Sequence, residues 1–147
     1  MTLEIFPRNN DVLAPRKSNP LAAGYDLFFS KNATLACGLT KIDMEFGLKL
    51  PSGYSAILKT RSSAASKHLS VEAGVIDESF SPHANLFALI RNHDNRAISV
   101  KRGESAIQMI LIPRPEIALL VVGPNDQKIK EVKASNHLGL GSTGNAI

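Results

Sequence analysis

Ten consecutive residues, Val71–Phe80, read VEAGVIDESF and set two carboxylates and an aromatic ring directly behind an apolar, Gly-containing run. Val71, Ala73-Gly74 and the apolar pair Val75-Ile76 have the character of a strand running into a turn. Gly74 sits inside that strand pattern, where Gly marks a tight bend or a close approach to the main chain by another group. A carboxylate, Asp77, follows at once, and then Glu78 and the ring of Phe80. The stretch reads as a surface hairpin able to grip a flat ligand by its backbone and hold an acid beside it. The same residues also suit a plain hairpin with an acidic turn.

Four further clusters combine small residues with polar groups. They are Ala23-Gly24-Tyr25-Asp26-Leu27, Arg61-Ser62-Ser63, Gly103-Glu104 with Gln108, and Gly141-Ser142-Thr143-Gly144. Each has a structural alternative. Asp26 suits a turn, Arg61 a pairing with a carboxylate at the core edge, and Gln108 an outward strand position. The last cluster suits terminal disorder.

The elements that must position these groups are mostly strands. Leu3–Phe6, Tyr25–Ser30, Thr34–Cys37 and Tyr54–Lys59 are strand-like, as are Asn85–Arg91, Ala97–Val100, Ala106–Ile112 and Ile117–Val122. Thr40–Leu50 alternates, with Ile42, Met44, Phe46, Leu48 and Leu50 on one face and Lys41, Asp43, Glu45 and Lys49 on the other. The spacing predicts one short helix over Ser62–Leu69, with Ser62 as N-cap. Too short to persist alone, it must pack on the sheet. About ten short strands at this spacing predict an all-β sandwich or barrel. Residues 1–123 form the β domain, and 124–147, polar and then Gly-rich, read as a flexible C-terminal arm.

Composition narrows the function classes. With 44% apolar and 20% charged residues, a chain of 147 residues is a folded domain with a proper core. Ile107–Ile112 and Ile117–Val122 are too short to span a membrane. The N-terminus lacks an apolar signal region, so an intracellular protein, cytoplasmic or nuclear and not secreted, is expected. The single Cys37 fits a reducing compartment and a small core-facing strand position. The net charge is +4, yet no Lys/Arg run exceeds two residues, so nucleic-acid binding is not indicated. His68, His83, His93 and His137 have no metal-ligand spacing, and no protein-bound structural metal is expected.

In this order and spacing, from about Leu13 to Gly144, the five clusters resemble the trimeric dUTP pyrophosphatases (dUTPases). That resemblance implies a jelly-roll-like β-barrel with one short helix, a homotrimer and active sites between subunits. It implies hydrolysis of dUTP to dUMP and pyrophosphate, with Mg²⁺ carried in on the triphosphate. Asp77 would orient the attacking water at the α-phosphorus. The main chain of Ala73, Gly74 and Ile76 would meet uracil, and Phe80, where the family usually has Tyr, would lie on the deoxyribose. Arg61, Ser62, Ser63 and Gln108 would hold phosphates, with Asp26 as an outer-shell partner of the hydrated Mg²⁺. Leu140, Gly141, Ser142 and Thr143 would close over the substrate.

The departures from the family pattern are specific. Thr60 stands for a usual Pro, Ser63 for Gly, Ser79 for Asp and Ser105 for a basic residue. In the arm, Ser135 stands for Arg and Leu140 for Phe, which removes a phosphate clamp and a stacking ring. Lys130 or Lys133 could supply the missing charge. The segment Ser81-Pro82-His83 carries about two extra residues. The related dCTP deaminases share an Arg-Ser-Ser motif but need a Glu where this chain has Leu89. The altered arm leaves one alternative from another class, a catalytically impaired dUTPase-fold protein acting as a binding or signalling module.

Overall fold

Short strands separated by turn residues fold into a β-rich body. The computed structural model describes residues 1–125 and Gln127. It divides into two units, Met1–Pro115 and Glu116–Ile147. In chain order the first unit carries β1 (Glu4–Pro7), β2 (Tyr25–Leu27), β3 (Ala33–Leu35), β4 (Gly38–Asp43), β5 (Phe46–Lys49) and β6 (Tyr54–Thr60). There follow a helical turn α1 (Ser62–Ala65), β7 (Leu69–Glu72), β8 (Val75–Ile76), β9 (Phe87–Asn92), β10 (Ile98–Val100) and β11 (Ile107–Pro113).

Every strand pairing is antiparallel. One sheet runs β2-β11-β6-β8 and another β4-β9-β7; β1 pairs with β5 and β3 with β10. Leu27, Leu35, Phe46, Leu48, Ile90, Ile107 and Met109, drawn from all four sheets, meet in one core with almost no exposure. Burying a side chain of this size contributes about 1.5–3 kcal/mol. The arrangement is the all-β one that the strand spacing predicts, with the jelly-roll-like character that the resemblance implies.

Several local expectations change. Thr40–Leu50 is two strands, because Glu45 takes φ +58° between them. The faces survive the break: Met44, Phe46, Leu48 and Leu50 are buried, and Lys41, Asp43 and Lys49 are exposed. The predicted helix shrinks to Ser62–Ala65. Its N-cap is Arg61 and there is no side-chain capping bond, so Ser62 is the first helical residue and not the cap. His68, at φ +61°, ends the local winding. Cys37 is exposed just beyond β3 instead of facing the core. Ile117–Val122, expected as a strand, is irregular. Pro113, the last residue of β11, and Pro115 lack amide donors, and the ladder stops there.

The largest change concerns Val71–Phe80. It is not a hairpin. β7 pairs with β9 in one sheet, whereas β8 pairs with β6 in another. The chain crosses between sheets at Ala73-Gly74, both with positive φ, +56° and +103°. Such kinks are how a strand turns a corner between packed sheets.

Candidate active site

Strand β6 links the two groups of candidate residues. At one end, register places Asp26 of β2 opposite Gln108 of β11, and Gln108 opposite Lys59 of β6. Arg61 follows directly after β6. Its Nε lies 3.1 Å from Asp26 Oδ1, and its Nη1 donates to the Ser105 carbonyl at 3.2 Å. The Arg61 amide also donates to the Ala106 carbonyl at 2.9 Å. Three stretches of sequence separated by up to about eighty residues thus contribute Asp26, Arg61, and Ser105 with Gln108 to one corner. Ser62 and Ser63, exposed on the first turn of α1, extend it.

The sequence offers this pairing only as an alternative, a structural Arg bound to a carboxylate at the core edge. That contact exists, and it presents the guanidinium in a fixed plane. A planar, charge-assisted donor matches phosphate oxygens well. Arg61 and Ser63 also line a cavity of about 330 Å³ with Lys67, Ser99 and Ser105. Thr60, one of the departures from the family pattern, has a use of its own here. Its hydroxyl accepts the Val71 amide at 2.9 Å and ties the end of β6 to β7. A Pro at that position has no hydroxyl to offer.

The other end of β6 carries the acid. Ile76 faces Ala56 and Val75 faces Ile57, so Asp77 continues level with Ser55. β8 is an edge strand, with main-chain groups on its outer side free of a strand partner. Val75 is 74% exposed and Asp77 is exposed. The Ile76 side chain is buried in the core, so only its main chain can face a ligand. Phe80 is half-buried against the core, and its amide donates to the Asp77 carbonyl at 3.0 Å, closing a turn around the acid.

The reason for Gly74 also differs from the expected one. A side chain there would place Cβ 2.9 Å from Leu58 Cβ, and φ +103° is a region that L-residues rarely adopt. Gly74 is required by the sheet crossing itself, whose carbonyl accepts the Leu58 amide at 2.8 Å.

From Ser55 to Arg61 is six residues, or roughly 20 Å at ~3.3 Å per residue. On the same count Asp26 and Gln108, level with Lys59, lie roughly 13 Å along β6 from the level of Asp77, so the pairing within one chain sets Asp77 apart from all three, and furthest from Arg61. Leu140, Gly141, Ser142, Thr143, Ser135, Lys130 and Lys133 lie outside the described residues.

Glu78 and Arg114 acquire a role that spacing did not reveal. The Glu78 carboxylate accepts hydrogen bonds from the Arg114 guanidinium and, at 3.0 Å, from the Gly53 amide. The Arg114 hydrogen bond, and then that of Gly53, hold the Glu78 carboxyl below the usual carboxylate range. Thirty-six residues separate the two side chains in sequence, and the only local signal is an Arg set between two prolines.

The chain matches the dUTPase family model over residues 10–144. It is 34% identical to a deoxyuridine 5'-triphosphate nucleotidohydrolase of Yarrowia lipolytica, covering 98% of this chain and 90% of the relative. The enzyme of the same name from Eremothecium gossypii is 30% identical, with coverage of 98% and 92%. Among solved structures, a Staphylococcus bacteriophage 80alpha dUTPase variant with dUpNHpp superposes at a TM-score of 0.77. It is 26% identical, and the match covers 97% of this chain and 98% of the phage chain. β9 carries no carboxylate, and Leu89 stands half-buried where a deaminase would need its Glu. Fold, cluster order and sequence agree over nearly the full length: this chain belongs to the dUTPase family.

Proposed function

We propose that the protein hydrolyses dUTP to dUMP and pyrophosphate. In this reading it lowers the dUTP available for incorporation into DNA and supplies dUMP for thymidylate synthesis. A water oxygen bonds to the α-phosphorus, the bond from that phosphorus to the α,β-bridging oxygen breaks, and pyrophosphate leaves. Asp77 aims the water and accepts its proton, a task suited to an exposed carboxylate fixed by a turn. The edge main chain from Ala73 to Ile76 reads the uracil edge. A fixed backbone donor there accepts uracil and rejects cytosine, which presents a donor at the same place. Phe80 lies on the deoxyribose and leaves no room for a 2′-hydroxyl.

Arg61, Ser62, Ser63 and Gln108 hold the triphosphate. No three His, Cys, Asp or Glu side chains converge among the described residues. The donor set therefore fits a Mg²⁺ that arrives on the triphosphate and keeps its waters, with Asp26 as the nearest carboxylate of the phosphate corner. The ion would offset charge on the phosphates.

The observation that carries this reading is the separation along β6. Roughly 20 Å exceeds the span of a triphosphate, so one substrate needs Asp77 from one copy and Arg61 from another. A homotrimer with sites between subunits meets that need. The test is pyrophosphate release with Mg²⁺ from dUTP, dCTP, dTTP and UTP in parallel. Asp77→Asn and Arg61→Ala proteins are then assayed alone and after co-refolding. We expect turnover of dUTP alone by the native chain and, at dUTP concentrations well below the raised KM of Arg61→Ala, little from either variant. The co-refolded mixture should recover about a quarter of native activity, the chance that both neighbours supply the intact half. No recovery would place each site within one chain. No turnover of any nucleotide would leave the binding-module reading.

A further inference from the structure

The acid at the open edge of the fold rests on very little sheet. β8 has two residues, pairs on one side only and emerges from a crossing with two positive-φ residues. Such a segment would let the next residue wander, yet the next residue is Asp77. Glu78 supplies what the sheet does not. Its carboxylate takes the Arg114 guanidinium at the end of β11 and the Gly53 amide in the turn between β5 and β6. Arg114 and Gly53 are themselves joined, the Arg114 amide donating to the Gly53 carbonyl at 2.7 Å. Two separate segments, joined to each other, converge on this one carboxylate, directly beside the acid.

We propose that Glu78 is a positioning residue for Asp77, acting through its bond to Arg114 and Gly53. The inference rests on the hydrolytic reading of Asp77. The two side chains divide the labour. Asp77 is left exposed for the water, whereas the neighbouring carboxylate is spent entirely on fastening. A catalytic acid gains from such fastening because small misplacements of a reacting group lose much of its effect.

The variant Glu78→Ala removes both bonds, and Glu78→Gln keeps one acceptor oxygen for them without the charge. If the pin orients Asp77, Glu78→Ala should lower kcat for dUTP by about tenfold or more with KM within about twofold. Glu78→Gln should fall between it and the native protein. A fold defect would instead lower the concentration of active protein in proportion to lost secondary structure, which circular dichroism reads. A second readout does not depend on turnover. Amide hydrogen exchange at Ser79 and Phe80 should quicken by about tenfold in Glu78→Ala, while exchange in β6 and β11 stays unchanged. Unchanged exchange at Ser79 and Phe80, or an unchanged kcat with faster exchange, overturns the proposal. If the native protein turns over no nucleotide, the hydrolytic reading fails on its own, and Glu78 is then no positioning residue whatever exchange shows.

Discussion

The two ends of β6 are built on different principles. At the Arg61 end, three strands stand in register, Asp26 to Gln108 to Lys59, and the Arg61 guanidinium is held by a carboxylate and a carbonyl. At the Asp77 end, the acid leaves a two-residue edge strand and is steadied by a turn and a neighbouring pin. One end is a rigid cradle for charge, and the other is an exposed acid on a short tether. On the proposed reading, binding and bond breaking fall to opposite ends of β6. Variants at the two ends should therefore damage different kinetic constants.

The largest effect should come from the acid. Asp77→Asn keeps size and polarity but cannot accept the proton, so kcat should drop by ~10²–10⁴-fold. Binding of dUTP, followed by titration calorimetry, should change little. Arg61→Ala should behave oppositely. Loss of one charge-assisted contact, about 1.5–3 kcal/mol, corresponds to a KM raised by about ten- to a hundredfold. If Asp77→Asn mainly weakens binding, or Arg61→Ala mainly slows turnover, the division between the two ends is wrong.

Much of this contrast could be read from residue order. The clusters around Asp26, Arg61, Asp77 and Gln108 were found because each is local, with small residues beside a polar one. The core face from Ile42 to Leu50 was legible because alternation reports burial directly. What stayed hidden depends on where strands go. Val71–Phe80 looked like a hairpin because β7 and β8 are adjacent and turn-forming residues separate them. Sequence adjacency does not say that their partners, β9 and β6, lie in different sheets. The helix was overextended for a related reason. An Ala-rich run favours helix, but His68 at positive φ stops it so that Leu69 can enter β7. The Glu78–Arg114 contact has no spacing signal, because an ion pair between distant segments obeys no spacing rule.

The crossing into β8 gives an intermediate effect that sharpens the same comparison. Gly74→Ala would force a side chain into φ +103° and against Leu58. Strain of this kind costs about 1–3 kcal/mol, which urea denaturation would read as a lower midpoint. Ala73 already accepts φ +56°, so Ala73→Gly should shift the midpoint far less. Equal losses from both substitutions would mean that the crossing is not the fragile point. Comparable strain is not expected at the Arg61 end, where Arg61 itself has an ordinary extended backbone, φ −72° and ψ 149°.

The smallest effect should be the pH response of the pin, and its sign is fixed by the direction of the Glu78 shift. Arg114, then Gly53, lower the folded-state pKa of Glu78 beneath its ordinary value of 4.5. A carboxyl whose folded pKa is lowered adds stability that is complete above the unfolded value and lost as pH falls through the folded one. The difference in Tm between the native protein and Glu78→Gln should therefore be constant from neutrality down to about pH 5. It should close below about pH 4.5, where the unfolded carboxyl takes up its proton first. The difference should also shrink with salt, since the pair is solvent-exposed and exposed pairs are screened. A difference that widens in acid would mean that Glu78 binds its proton more readily in the folded state. The bonds to Arg114 and Gly53 could not then be what holds the loop beside Asp77.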